Sequence, residues 1–371
     1  MPTREQVMEA LATVMDPEIG KPITELGMVE DVAIAGDRVG VKVKLTIPGC
    51  PLKDRIQTDV TAAVSGLGDV SDVQVAFGSM SEDERQSLSS RLRAERGAAN
   101  PEMEIPFGKP ENRTKVIAVA SGKGGVGKSS LTANLAAALA AEGRSVGVLD
   151  ADIYGYSIPR MFGVSGKPVA FDGMVMPLQA HGCKIISIGF FTDPDRSVIW
   201  RGPMLHRALQ QFLGDVHWGD IDYLVCDLPP GTGDIAISLG QMLPEADMIV
   251  VTTPQQAAQK VALRAGRATE QTGMRVTGVI ENMATFVAPD TGVEYDIFGS
   301  GGGQELADEL GTTLLGRVPI DPRLREGGDA GVPMVLGHPD APASQVIRDI
   351  ARGIVQRDGA VLGRRLPLSV A

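Results

Sequence analysis

The segment Gly122-Lys123-Gly124-Gly125-Val126-Gly127-Lys128-Ser129 fits the pattern G-x-x-x-x-G-K-S/T. Glycines at this spacing let backbone N–H groups curl around phosphate oxygens, and a helix starting directly after them adds a potential that favours negative charge. Lys128 is placed to reach the β- and γ-phosphates, the Ser129 hydroxyl to ligate Mg2+, and Ser130 completes the phosphate-binding stretch. Lys123 is one lysine more than this chemistry requires. A solvated loop residue is the plain reading of an isolated lysine, so its position asks for an account of its own.

A metal-bound triphosphate also needs carboxylates at neighbouring strand ends, and two segments supply them. VGVLDADIYG offers Asp150 and Asp152, and YLVCDLPPGTGD offers Asp227 and Asp234. Asp227 is expected to hold Mg2+ through water, Asp152 to orient an attacking water, and Asp150 to lie beside it near the metal. One such aspartate alone would more often cap a helix; two such strands after a phosphate loop favour the metal site. The run from Pro229 to Gly233 is a stiff piece followed by a flexible one, suited to a loop that responds to the γ-phosphate.

These residues must be carried by strands that end together. Apolar runs at Val116 to Ala120, Val146 to Asp150, Tyr223 to Asp227, Met248 to Thr252, Val276 to Glu281 and Leu314 to Val318 alternate with helical stretches. That alternation predicts a mainly parallel sheet covered by helices on both faces, over residues 114–358. Upstream, residues 1–78 form a smaller unit. Thr3 and Gln6 can make a capping box for a first helix, Met28 to Ile34 and Arg38 to Thr46 form a hairpin, Leu52, Ile56, Val60 and Val64 mark a second helix, and Val73, Val75 and Phe77 alternate in a third strand. The order is α-β-β-α-β, a small α+β domain. Residues 79–113 are polar and punctuated by Pro and Gly and are expected to be a linker with a short helix around Glu82 to Arg96. Residues 359–371 are expected to be a tail, since Gly363 and Pro367 interrupt an otherwise apolar and basic stretch that would resemble a membrane-surface helix.

Composition narrows the partners. At 43% hydrophobic and 22% charged, the 371 residues have a globular profile. A formal charge of −11 gives no general attraction to a polyanion, and no basic patch is evident, so nucleic acid is not expected as a partner. No uncharged apolar run reaches the length that crosses a bilayer, so no membrane is expected either, and the reading is cytoplasmic. Three cysteines too far apart for a C-x-x-C pair argue against a disulfide framework and for a reducing compartment. His181, His206, His217 and His338 form no metal-binding spacing.

KGGVGKSS, DADIYGYSIP, WRGPM, DLPPGTGD, TTPQQAAQ, IENM and VPIDPRLRE occur in that order and resemble the Mrp/ApbC branch of the deviant-Walker-A P-loop ATPases, from about Lys115 to Gly353. DPEIG, LGMV and TIPGCP resemble the small iron–sulfur-assembly domain often fused to that branch. The resemblance implies a P-loop NTPase that binds and hydrolyses Mg-ATP as a homodimer and carries iron–sulfur clusters to apoproteins or assembly factors. It also implies a role for the extra lysine: Lys123 reaches across the dimer to the phosphates held by the other subunit, offsetting the charge that builds during transfer. By the same resemblance Asn282 recognises the adenine, with Pro319 and Asp321 near the base.

The sequence departs from that pattern where a cluster would sit. Relatives of this type commonly have a segment like F-V-C-P-x-C-G whose two cysteines per subunit hold a bridging 4Fe–4S cluster; this chain reads FVAPDTGVEYDIFG, with Ala288 and Thr291 at those positions. Neither side chain supplies a thiolate. Tyr156 likewise replaces a usual proline. Cys226 and Cys183 are expected in the core. Cys50 has two readings: a contact to a cluster or partner, because it lies beside a helix start and Lys53, where a thiolate is favoured, or a structural turn residue. Three functions compete: an ATP-driven cluster carrier, a nucleotide-dependent switch or chaperone-like regulator without its own cluster, and a positioning or partitioning ATPase. The fused N-terminal domain and the acidic balance count against the last.

Overall fold

The computed structural model describes residues 2–17, 19–46, 53–68, 70–81, 83–85, 87–88, 91, 105–109, 111–153, 155–171, 174–192, 202–231, 234–270 and 272–362. They fall into two compact units: residues 1–104 together with Val169–Met176, and Ile105–Pro168 together with Pro177–Ala371.

In the first unit, α1 (Arg4–Leu11) starts at Thr3, whose side chain accepts from the Gln6 N–H while the Gln6 side chain accepts from the Thr3 N–H. Two otherwise orphaned donors are thereby satisfied, and Val7 and Leu11 turn inward. β1 (Val29–Ala35) pairs antiparallel with β2 (Arg38–Leu45), in which Val39, Val41, Val43 and Leu45 are buried, as strand alternation dictates. α2 (Lys53–Ser65) buries Ile56, Val60 and Val64 and leads to β3 (Asp72–Ser79), parallel to β2. A parallel pair needs a crossover, and the helix supplies it.

Residues 79–113, expected to be a linker, begin with chain that packs on this unit. Met80 and Leu88 are buried in the same core, so the chain beyond β3 still contributes to it. A distant piece contributes as well. β6 (Ala170–Phe171) and β7 (Met174–Val175) form a short antiparallel ladder within Val169–Met176, and Met174 and Met176 join the first unit's core. No local pattern can reveal a core position on a segment that begins at Val169, when the rest of its unit ends at Glu104. Cys50 and the chain beyond Leu362, which includes most of the expected tail, lie outside the described residues.

The second unit is built on β4 (Lys115–Ser121), β5 (Val146–Asp150), β8 (Leu178–Ala180), β9 (Cys183–Ser187), β10 (Tyr223–Asp227), β11 (Asp247–Thr252), β12 (Arg275–Asn282) and β15 (Leu314–Val318), in the order β15-β12-β11-β4-β10-β5-β9-β8. All pairs are parallel except β8 with β9. Every strand anticipated from the apolar runs is present; β8 and β9, which complete one edge, are the additions. The covering helices are α3 (Lys128–Ala141), the single turn α4 (Ile158–Met161), α5 (Gly202–Gly214), α6 (Asp234–Met242), α7 (Gln256–Glu270), α8 (Gly302–Glu309), α9 (Pro322–Ala330), α10 (Met334–Gly337) and α11 (Pro342–Leu362). α3 is buried on nearly every side because it packs on β4, β5 and β10 and is covered by α11, which explains its apolar, alanine-rich sequence. A separate hairpin, β13 (Phe286–Val287) with β14 (Glu294–Tyr295), follows β12.

Candidate nucleotide site

β4 is flanked by β10 on one side and β11 on the other, so the connections leaving its C-terminal end diverge there. Crevices at such a point are where open α/β sheets take ligands. The register aligns Asp227 with Asp150 and with Val119, which brings the loop after β4 and the last residues of β10 and β5 side by side.

The loop after β4 has the conformation its glycines permit. Gly125 and Gly127 have φ of +82° and +81°, and Gly127 is the N-cap of α3. A β-carbon at Gly127 would collide with the Asn282 amide, and one at Gly122 would meet the Ala262 backbone N of α7. Both positions are therefore held to glycine by close approach.

Lys128, buried to 6% exposure, points its Nζ at Asp227 Oδ1 (2.7 Å), with Ser129 Oγ at 3.2 Å and the Asp152 carboxylate at 3.8 Å. Asp227 is fully buried and accepts further from Ser129 Oγ (2.6 Å) and Thr132 Oγ1 (2.8 Å). One lysine and two hydroxyls thus compensate a charge that would otherwise be costly to desolvate. A hydroxyl and a carboxylate in direct contact are the hard oxygen donors that Mg2+ takes, so Ser129 and Asp227 suit that ion.

Asp150 joins the cluster in another capacity. Its oxygens accept from the N–H groups of Asp152 (3.2 Å), Ser157 (3.2 Å) and Ile158 (3.3 Å) and from Ser187 Oγ (3.0 Å). Burial, reinforced by the Asp227 charge, pushes its carboxyl up to about 7. Asp150 therefore ties Asp152, Ser157 and Ile158 to the end of β5. Asp152 is buried, its carboxyl raised by desolvation against the pull of Lys128, and it accepts from the Gly155 N–H at 3.2 Å.

Lys123 is half-buried and donates to Gln255 Oε1 at 3.1 Å. Asn282, buried at the end of β12, donates to the Val126 carbonyl (2.8 Å). Asn282, Pro319 and Asp321 line a cavity of about 300 Å3 that also touches Gly127 and Ser130. The Asp321 carboxylate is already engaged: it caps α9 through the Arg323 N–H (3.0 Å) and holds the Arg323 guanidinium at 2.7 and 2.8 Å, and that bond keeps it below the usual carboxylate range. It contributes a wall, with its oxygens turned to its own helix.

Sequence reading missed Thr132, Gln255, Ser187, Arg160 and Arg325. Thr132 was within reach, because a hydroxyl four residues after Lys128 lies on the same face of α3. The others come from separate elements. Cys183 and Cys226 are buried in β9 and β10, and desolvation raises both thiols, that of Cys183 to about 12. Neither is a thiolate donor. Among the described residues no group of three or more metal-ligating side chains occurs.

A glycine-rich loop between strand and helix, with paired carboxylates on the adjoining strands, defines a P-loop nucleoside triphosphatase. Residues 112–355 match the family described as NUBPL iron-transfer P-loop NTPase, and residues 4–77 match the iron–sulfur cluster assembly protein family. The chain belongs to this iron-transfer P-loop NTPase family and carries the assembly domain at its N-terminal side. It is 50% identical to the iron–sulfur cluster carrier protein of Mycobacterium leprae, covering 98% of this chain and 96% of that protein, and 44% identical to the one of Deinococcus radiodurans, covering 94% and 93%. Among solved structures, the ADP complex of a nucleotide-binding protein from Archaeoglobus fulgidus has a TM-score of 0.54 at 37% identity, over 62% of this chain and 90% of that one. The septum site-determining protein MinD of Pyrococcus horikoshii, at a TM-score of 0.50 and 24% identity over 67% of this chain and 98% of that one, shares the fold.

Proposed function

We propose that this protein binds and hydrolyses Mg-ATP as a homodimer and uses the resulting change of shape to deliver iron–sulfur clusters to apoproteins or to assist their assembly, in the cytoplasm. The observation that carries the nucleotide half of this reading is the contact among Lys128, Ser129 and Asp227 beneath the glycine loop. Lys128 neutralises the phosphates, Ser129 and Asp227 hold Mg2+, and Asp152 orients water for attack. The bound ion would supply charge neutralisation on the phosphate oxygens.

Homodimerisation is supported by exposed apolar residues on connections that leave the same end of the sheet as the one carrying Lys123. Tyr156, Phe191, Ile237, Tyr295 and Ile297 are large apolar residues exposed to solvent, and each follows the C-terminal end of a parallel strand, as Lys123 does. Exposed large apolar residues on connections that leave that end of the sheet suit a facing copy. Lys123, which donates to the Gln255 amide oxygen in this structure, would then act on the other subunit's phosphates. The assembly domain and the carrier relatives support the iron–sulfur half. Among the described residues no helix is long and apolar enough to cross a membrane.

The cluster is cargo, and its ligands have to be found. Ala288 and Thr291 lie on the β13–β14 hairpin, whose backbone closes through Ala288 N–H to Val293 O (3.0 Å) and Gly292 N–H to Ala288 O (2.8 Å). With two cysteines buried and these positions lacking sulfur, Cys50 is the remaining thiol. One thiol per subunit gives two in a dimer, where a 4Fe–4S cluster usually takes four ligands. Binding would accordingly be labile and completed by small thiols or the client. The same observation favours a second reading, a nucleotide-dependent switch with no cluster of its own.

Anaerobic reconstitution with iron and sulfide, followed by visible absorption and iron counting, tests the two. The carrier reading expects iron on the wild type, most of it lost in Cys50→Ser with ATPase activity retained. Iron-free wild type would leave the switch, and full iron on Cys50→Ser would eliminate Cys50 as the main ligand.

A further inference from the structure

The cavity of about 300 Å3 beside the glycine loop has two facing walls. One comes from Ser157, Arg160 and Met161, directly downstream of Asp150 and Asp152; the other comes from α9, with Leu324, Arg325 and Asp329. One ion pair joins these walls, a close backbone approach lies just beyond it, and two further bonds brace α9 itself. Arg160 Nη2 donates to Asp329 Oδ1 at 2.9 Å, while Arg325 Nη1 donates to the other oxygen, Oδ2, at 3.1 Å. His181 Nε2 lies 2.8 Å from the Gly331 carbonyl. Gly163 and Gly331, at φ of +63° and +75°, are packed backbone to backbone so closely that a β-carbon on Gly331 would strike the Gly163 Cα.

The near end of the first wall is fixed too, because Asp150 accepts from the Ser157 and Ile158 N–H groups. The single turn α4 is therefore tied at its start to the carboxylate cluster under the phosphates and at its end to the helix that forms the far side of the cavity. We propose that Asp329 is a positioning residue for the nucleotide: by bridging Arg160 and Arg325 it clasps the two walls around the base and ribose and so registers the base pocket with the Asp152 loop. This rests on the reading that the cavity takes the nucleoside part of ATP.

The clasp is not a strong stabilising contact. Arg160, Arg325 and Asp329 keep 74%, 69% and 44% of their side chains exposed, and ion pairs in water contribute little to folding. Its leverage is local. The walls meet around a cavity, where a small loss of registration is felt by whatever fills it, while the melting temperature stays unchanged.

The test uses the full-length protein and two probes, ATP and inorganic tripolyphosphate, which occupies the phosphate loop without a base. Asp329→Asn should raise the KM for ATP about five-fold, the scale of one solvent-exposed ion pair, with kcat within about two-fold and tripolyphosphate affinity unchanged. The effect should shrink at high salt. Asp329→Arg should be worse, and adding Arg160→Asp to it should recover part of the loss by restoring an opposite-charge pair. An equal loss of ATP and tripolyphosphate affinity, or no recovery in the charge-swapped pair, overturns the clasp. Wild-type protein that binds tripolyphosphate as tightly as ATP would instead overturn the assignment of the cavity to the base.

Discussion

Two regions at the same end of the large sheet are built on opposite principles. Around the glycine loop the carboxylates and Lys128 are buried and bonded: Asp227 takes three donors, Asp150 takes four, and Lys128 lies among them. On the β13–β14 hairpin, which carries Ala288 and Thr291, Val287, Val293 and Tyr295 are exposed and neither of those two positions supplies a thiol. Phosphate chemistry depends on charges and dipoles fixed before the substrate arrives, so that region can change little without losing its electrostatic balance. The exposed hairpin carries no such balance, and its side chains can change while its backbone ladder stays intact.

The sharpest way to break the comparison is Lys128→Ala. It removes the principal cation of the phosphate site and leaves Asp227 buried with only hydroxyl donors, so ATP turnover should fall by at least on the order of 10². Wild-type turnover in that variant would dismiss the phosphate site. Lys123→Ala is the next step down. ATP binding should persist in equilibrium titration while hydrolysis drops by about 10², since a cation acting on another subunit's phosphates contributes to the transition state and little to binding. Unchanged hydrolysis would return Lys123 to a solvated loop residue held by Gln255.

The hairpin offers the converse experiment, a gain. Installing Ala288→Cys and Thr291→Cys together should give a dimer-bridging cluster, read as absorbance and iron bound per subunit, if four thiolates on an intact ladder are all that is missing. No added iron would mean that more than the ligands has changed. The smallest effect concerns the first unit. Met174 and Met176, at 2% and 4% exposure, belong to its core although they lie far along the chain. Met174→Ala should cost about 2–4 kcal/mol of that unit's stability and lower a melting transition by several degrees, with kcat little changed. An unshifted melting curve would show that the Val169–Met176 strap contributes nothing to that core.

Local rules carried much of this molecule. The α-β-β-α-β order follows from periodicity and from the Thr3–Gln6 capping box, and six of the eight large-sheet strands follow from short apolar runs. β8 and β9 were not legible, because an edge hairpin on a parallel sheet has no distinctive spacing. The Met174 and Met176 contribution was hidden for a stronger reason: in PVAFDGMVMPL the apolar residues are broken by Asp172-Gly173 and Pro177, and nothing in so short a run says which distant segment will pack on it.

The sequence by itself determined the phosphate loop, Lys128, Ser129, Asp227 and the missing sulfur at 288 and 291, since these depend on residue type and on spacing along one chain. Only the tertiary structure decided that Asp150 organises a loop, that Asp321 is spent on Arg323, that Thr132 and Gln255 enter the site, and that Asp329 bridges Arg160 and Arg325. Each of those roles is set by which donors surround an oxygen. Such donors arrive from elements brought together by packing of the sheet and its helices, and their meeting leaves no periodic trace in the chain.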